Sequence, residues 1–191
     1  MKYLSNLLLA GLVVTAVSCK QKAENSSSTD AALDSNKKEL AAKDSTELKD
    51  DAEFAVTAAN GGMLEVELGK LAKTKAASAE VKQFADMMVT NHSKANKELM
   101  ELAGAKVITL PAILSNDKQK DYDDMAKLSG SEFDKAYTDY MVKDHKEDIE
   151  EFKKEASEGK DAEFKAFAAK HVPILQHHLE MAEKAQAAVK K

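Results

Sequence analysis

Arginine and tryptophan are absent from this 191-residue chain, and aromatic side chains make up only 5% of it. Every basic residue is lysine, so the planar fork that grips phosphates and base edges is missing, and the net charge is −5. Both facts exclude nucleic acid as a partner. The one cysteine cannot form an internal disulfide. With two prolines and seven glycines, punctuation is sparse and long helices are expected. Alternating strand patterns are missing too, so the fold class is all-α. The long apolar run from Leu7 to Val17 falls short of the roughly 20 residues a membrane span needs.

That run has another use. Lys2 supplies a positive charge ahead of it, and it ends Ala16-Val17-Ser18-Cys19. This resembles a bacterial lipoprotein signal, although Ala16 stands where Leu is usual. The resemblance implies a signal peptide over residues 1–18, removed to leave a lipidated Cys19 as the new N-terminus. The membrane is then a partner through Cys19. The expected location is the bacterial cell envelope, the outer membrane ahead of the inner, with the folded domain outside the cytoplasm. Residues 20–50 are rich in Ser, Thr, Asn, Lys, Asp and Glu, with Leu only at 33, 40 and 48. Together with Cys19 they read as a flexible tether over 19–50, transiently helical from Leu33 to Lys49. The folded domain is expected over 51–189.

Four helical stripes fill that domain. The first, over about 51–75, carries Phe54, Ala58, Gly61/Gly62, Glu65, Leu68 and Ala72. The second starts at an N-cap, Ser78, and carries Val81, Phe84, Ala85, Met88, His92, Ala95, Leu99 and Leu102, ending at Gly104. An irregular stretch around Pro111 and a short amphipathic helix over 117–128 follow. Ser131-Glu132-Phe133-Asp134 resembles a capping box for the third long helix, whose stripe is Phe133, Tyr137, Met141, His145, Ile149, Phe152 and Ala156. Gly159 ends it, and Asp161 caps the fourth, with Phe164, Phe167/Ala168, His171, Leu175, His178, Met181/Ala182 and Ala185. Pro173 predicts a kink at about 169–173. Four amphipathic helices with a long second-to-third connection predict a four-helix bundle with a crossover and a short extra helix in it, as in ferritin-like folds.

One phrase occurs twice: Asp86-Met87-Met88-Val89-Thr90-Asn91-His92 and Asp139-Tyr140-Met141-Val142-Lys143-Asp144-His145. In each, Met precedes His by one helical turn on the apolar face. Projected into one core, the stripes offer Glu65, His92, His145 and His178, one metal-competent group per helix. Buried groups of this kind must be paired with one another, with water or with a cation. Imidazole with carboxylate suits Zn, Fe, Mn or Cu(II). Met88, Met141 and Met181 each stand four positions from a histidine (His92, His145 and His177), and thioether beside imidazole leaves Cu(I) open. A metal-free hydrogen-bond network in the core is the competing reading. Among the weaker candidates, Glu67 is the alternative to Glu65. Asp148 could bind the ion or orient His145. His177 is a flanking candidate and His171 reads as structural or exposed. Asn91 and Asp144 sit about 100° round the helix from the histidines they precede, facing a neighbouring helix or water.

The stretch Gly61–Ala72, with Met88-Val89-Thr90-Asn91-His92, Phe133–Tyr137, Met141–His145 and Pro173–Leu179, resembles the bacterial exported family called domain of unknown function 4142, in the ferritin-like superfamily. The resemblance covers about 51–185 and implies a ferritin-like bundle, with the family's positions on Glu65, His92, His145 and His178. Asn91 departs from the usual Asp, and His177 from a more common acid. It implies no activity. Di-iron members place Glu-x-x-His on two helices, whereas the residues three before each histidine here are Val89, Val142, Ala168, Ile174 and Leu175. A ferroxidase or oxygenase site is disfavoured, and no catalytic residue is singled out. The expected function is metal binding for sequestration, delivery or stress protection. The alternative is a non-catalytic structural or interaction lipoprotein of the envelope.

Overall fold

A computed structural model describes residues 28–190. Among them the regular structure is helical, with no strand beyond an isolated bridge between Ala76 and Gly130. The helices are α1 (Ser28–Ala42), α2 (Lys49–Lys75), α3 (Ala79–Ala105), α4 (Asn116–Ala126), α5 (Gly130–Glu158) and α6 (Ala162–Val189), with a 3-10 turn over Thr46–Leu48 before α2. None of the described helices is long and apolar enough to cross a membrane. The expected signal peptide and Cys19 lie outside the described residues.

The four long helices form a ring in the order α2, α3, α6, α5. Hydrogen bonds at the ends fix its sense. Asp51, in the first turn of α2, accepts from Lys160 N (2.8 Å) and Asp161 N (2.6 Å) at the α5–α6 turn. Asp134, near the start of α5, accepts from Ala77 N (3.1 Å) and Ser78 N (2.8 Å) at the α2–α3 turn. Each pair of neighbours is therefore antiparallel, and α3 and α5 run parallel. The chain leaving α3 must travel back along the bundle, roughly 40 Å at 1.5 Å per residue, before α5 can start. Residues 106–129, including α4, make that return.

The two hairpins repeat one another. Ser78-Ala79-Glu80-Val81-Lys82-Gln83-Phe84-Ala85 aligns with Asp161-Ala162-Glu163-Phe164-Lys165-Ala166-Phe167-Ala168. The same offset pairs Asp51 with Asp134 and Glu65 with Asp148. Both aligned stretches begin at an N-cap: Ser78 accepts from Val81 N, and Asp161 from Glu163 N and Phe164 N.

Close approach of α2 and α3 depends on Gly69. A Cβ there would lie 2.8 Å from Val89 Cγ2 and 3.1 Å from the Ala85 carbonyl oxygen. At Gly62 a Cβ would collide with the Asn96 side chain. These two glycines bracket Glu65 and let its helix lie directly against the one carrying His92.

Four details differ from the sequence reading. Residues 28–42 are not tether but a helix packed on α2, burying Ala32, Asn36 and Leu40. The Asn36 side-chain amide holds the crossover by accepting from Thr109 N (2.7 Å) and donating to Thr109 O (3.0 Å). Second, the Ser131–Asp134 capping box does not form: α5 begins at Gly130, and Asp134 reaches to the α2–α3 turn instead. Third, α3 passes Gly104 and closes with Ile108 N donating to Ala103 O (2.9 Å) and Val107 N to Gly104 O (3.2 Å). That closure leaves Val107, not a glycine, at φ 60°. Fourth, the short crossover helix spans Asn116–Ala126 rather than 117–128. Helix α6 continues through Pro173.

Candidate metal centre

Two apolar clusters occupy the two ends of the bundle. One gathers Phe54, Leu99, Phe152, Phe164 and Phe167. The other gathers Leu64, Phe84, Met88, Phe133, Tyr137 and Met141. Between them, at mid-height, lie Glu65, His92, His145 and His178, one from each long helix and none more than 6% exposed.

Their hydrogen bonds form a chain. Asn91 Nδ2 donates to His178 Nε2 (2.9 Å). That nitrogen then carries the lone pair, so the proton of His178 sits on Nδ1, which donates to His92 Nε2 (3.2 Å). His92 Nδ1–H in turn donates to Glu65 Oε2 (2.7 Å). His145 is set differently: its Nδ1–H donates to the Met141 carbonyl (3.0 Å), one turn back on its own helix. Its Nε2 lone pair therefore faces Glu65 Oε1 at 3.4 Å. Neither of those two atoms has a hydrogen-bond partner. Two lone pairs turned toward each other in a dry core repel, unless a proton or a cation lies between them.

The electrostatics follow from burial. Desolvation pushes His92 down to about 4; desolvation and the nearby His92 push His145 to about 4 as well. Desolvation, reinforced by His92 and His145, takes His178 to about 2. All three imidazoles are thus neutral at physiological pH, the form that binds metals. Burial, with the charge of Asp144 added, holds the Glu65 carboxyl well above the usual carboxylate range. Burial also raises Asp148, with Glu65 and Asp144 contributing. This level of the bundle is short of positive charge.

Two overlapping groups could hold a metal ion: His92, His145 and His178, and Glu65, Asp144 and His145. In each, the three residues offer ligand atoms within 4.8 Å of one another. Ligand atoms bound at about 2 Å in a tetrahedral site stand roughly 3.3 Å apart. The 3.2 Å between His92 Nε2 and His178 Nδ1 and the 3.4 Å between Glu65 and His145 are of that size. A cavity of about 410 Å³ reaches the site between α3 and α6, past Asn91, His92, Pro173 and His178. Its walls are chiefly apolar, among them Leu99, Phe152, Phe167 and Leu175.

Residues 35–185 match the family described as Domain of unknown function (DUF4142). The chain belongs to this family. No curated protein and no solved structure matches it.

In this DUF4142 chain the other candidates divide. Asp148 lines the cavity beside Glu65 and His178. Glu67 points outward to Lys70 (2.7 Å), and His177 is an exposed neighbour of Glu180. His171 is buried and donates from Nδ1 to the Phe167 carbonyl (2.8 Å), a structural placement. Met88 and Met141 are fully buried within the apolar cluster, and Met181 packs against it.

Asp144, expected to face a neighbouring helix or water, was not singled out as a candidate ligand. It is 6% exposed and faces Lys118 of α4, not water. Its partner arrives from the crossover, so no local spacing announces it. Tyr137 went unnoticed as a site neighbour as well. Its hydroxyl is buried without a hydrogen-bond partner, and burial and the charge of Glu65 raise it.

Proposed function

We propose that this protein binds a divalent transition-metal ion, or copper, through Glu65, His92, His145 and His178 in a ferritin-like bundle. Lipidation of Cys19 anchors it to the cell envelope, where the bound ion is sequestered or withheld from damaging reactions. The lone pair of His145 Nε2 facing Glu65 Oε1, with both atoms buried and unpartnered, carries this reading. A cation between them removes the repulsion and meets the excess of buried carboxylate. Neutral imidazole and carboxylate together suit Zn, Fe, Mn or Cu(II). Asn91 can serve the loaded state as well, since its amide offers an acceptor where it now offers a donor. Turned over, its oxygen accepts a hydrogen bond from His178 Nε2–H, the tautomer that leaves Nδ1 free for the ion.

The Asn91–His178–His92–Glu65 chain favours a second reading. In that one a proton on Glu65 completes the network, no metal is bound, and the polar layer fixes the register of the helices. Metal titration separates the two. The purified protein is stripped with chelator, offered Zn, Mn, Fe and Cu, and analysed for bound metal and melting temperature. Stoichiometric uptake with a raised melting temperature is expected, and it should be abolished in the His92→Ala/His145→Ala/His178→Ala variant. Wild-type protein that stays metal-free and melts unchanged would establish the proton-completed network instead.

A further inference from the structure

The acidic half of the site already holds a positive charge. Lys118, near the start of α4, places Nζ 3.1 Å from Asp144 Oδ1 and donates to the Tyr140 hydroxyl at 3.1 Å. Its side chain is 27% exposed and that of Asp144 8%. Burial works against the ammonium, but Asp144 and Tyr140 outweigh it and hold Lys118 above its ordinary value, so it stays charged. The second oxygen, Asp144 Oδ2, is buried and has no hydrogen-bond partner. Asp144 is also within ligand reach of Glu65 and His145. One carboxylate therefore serves both a lysine and a candidate ion position.

The charges do not balance without something more. Glu65, Asp144 and Asp148 act on one another and on Lys118. With exposed Glu151 left to solvent, these three carboxylates against one ammonium leave a deficit of two positive charges when all are ionised, which a divalent ion would cancel. An ion and an ammonium on the same carboxylate repel strongly in a medium of low dielectric constant.

Building on the metal-binding reading, we infer that Asp144 is a ligand of that ion and that Lys118 is a tethered cation which stands in for the metal and is expelled when the metal binds. The start of α4 is the part that such an expulsion would loosen. The helix is short, and its first turn is tied to the bundle through Asn60, which accepts from Ser115 N and donates to Ser115 Oγ, both at 3.0 Å. Beyond that tie, the bonds of Lys118 to Asp144 and Tyr140 hold it to α5, with a longer one from the Tyr140 hydroxyl to Asp121 (3.4 Å). Withdrawing the ammonium removes two of those bonds and loosens the start of α4, while its far end stays held by Met125, buried in the apolar cluster with Tyr122 and Leu128 packed against it. Lys118 thereby sets a threshold: the site fills only with an ion that outcompetes a lysine.

Zn²⁺ and Mn²⁺ affinities of the full chain, measured by chelator competition for wild type, Lys118→Gln, Lys118→Arg and Asp144→Asn, test this. Lys118→Gln should bind about tenfold more tightly or better, since the competing charge is gone. Lys118→Arg, which keeps the charge, should remain close to wild type. Asp144→Asn should bind at least roughly tenfold more weakly, as loss of a ligand requires. On wild-type protein, metal should speed amide exchange over residues 118–122. Unchanged affinity in Lys118→Gln, unchanged affinity in Asp144→Asn, or exchange that slows or stays constant each overturns the inference while leaving the metal site standing. Wild-type protein that binds neither ion and takes up no Fe or Cu overturns both.

Discussion

Asp134 and Glu65 are both acids, both within 3% of complete burial, and both on the inner face of a long helix. Yet they are opposite cases. At the end of the bundle, the two oxygens of Asp134 each accept a backbone N–H, from Ala77 and Ser78. Asp51 does the same for Lys160 and Asp161 at the other end. In the middle, Glu65 has one oxygen satisfied by His92 and the other turned toward a lone pair. Burial of an acid therefore says little about function. What separates a structural carboxylate from a candidate ligand is whether donors already occupy its oxygens. Four of the five partnerless buried side-chain atoms among the described residues belong to Glu65, Tyr137, Asp144 and His145, in and around this layer.

Substitution should expose that contrast. Asp134→Ala strips the α2–α3 turn of two charge-assisted hydrogen bonds, and we expect a loss of roughly 2–4 kcal/mol, read as a lower urea midpoint. Glu65→Gln should act in reverse on metal-free protein. The glutamine amide can donate to His145 Nε2 while its oxygen still accepts from His92, so stability should hold or rise by about 1 kcal/mol. The same variant should lose most of its metal affinity. If Glu65→Gln destabilised the metal-free protein as much as Asp134→Ala, the two carboxylates would be of one kind.

The smallest effect concerns Glu155, which faces Asp51 at the end of α5 and has one oxygen, Oε1, without a partner. Burial, with the charge and hydrogen bond of Asp51 added, pushes its carboxyl up to about 7, from an ordinary 4.5. The folded state thus holds a proton that the unfolded chain has released. This contribution to stability is absent above the folded value, grows as pH falls through about 7, and is complete below about 4.5. Glu155→Gln should flatten that part of the stability profile. A wild-type profile identical to that of Glu155→Gln would place Glu155 with the satisfied acids.

The helices were legible because each long stripe repeats at helical spacing over many turns, and mismatched polar residues on those stripes marked Glu65, His92, His145 and His178. Their convergence at one level is what a common core imposes. Helix α1 was read only as transient helix from Leu33 within a tether, because only three positions bury and one of them is Asn36. Asp144 was read correctly as pointing away from the His145 stripe. Its partner, however, is a lysine on a different helix, and no local pattern encodes that pairing. Asp148 had a usable signal: the repeat that sets Asp51 against Asp134 also sets Glu65 against Asp148. The histidines do not obey it. The position matching His92 is Leu175, and that matching His178 is Ala95. The acids follow the symmetry of the hairpins and the imidazoles break it.

The reciprocal grip of Asp51 and Asp134 reaches beyond the ends of the bundle. Each hairpin holds the residue that closes the other's turn, so neither half is complete by itself, and separated halves should gain structure only on mixing. The layer that could hold an ion needs residues from both halves and exists only once they have locked together. Occupancy by metal would then certify that folding has finished.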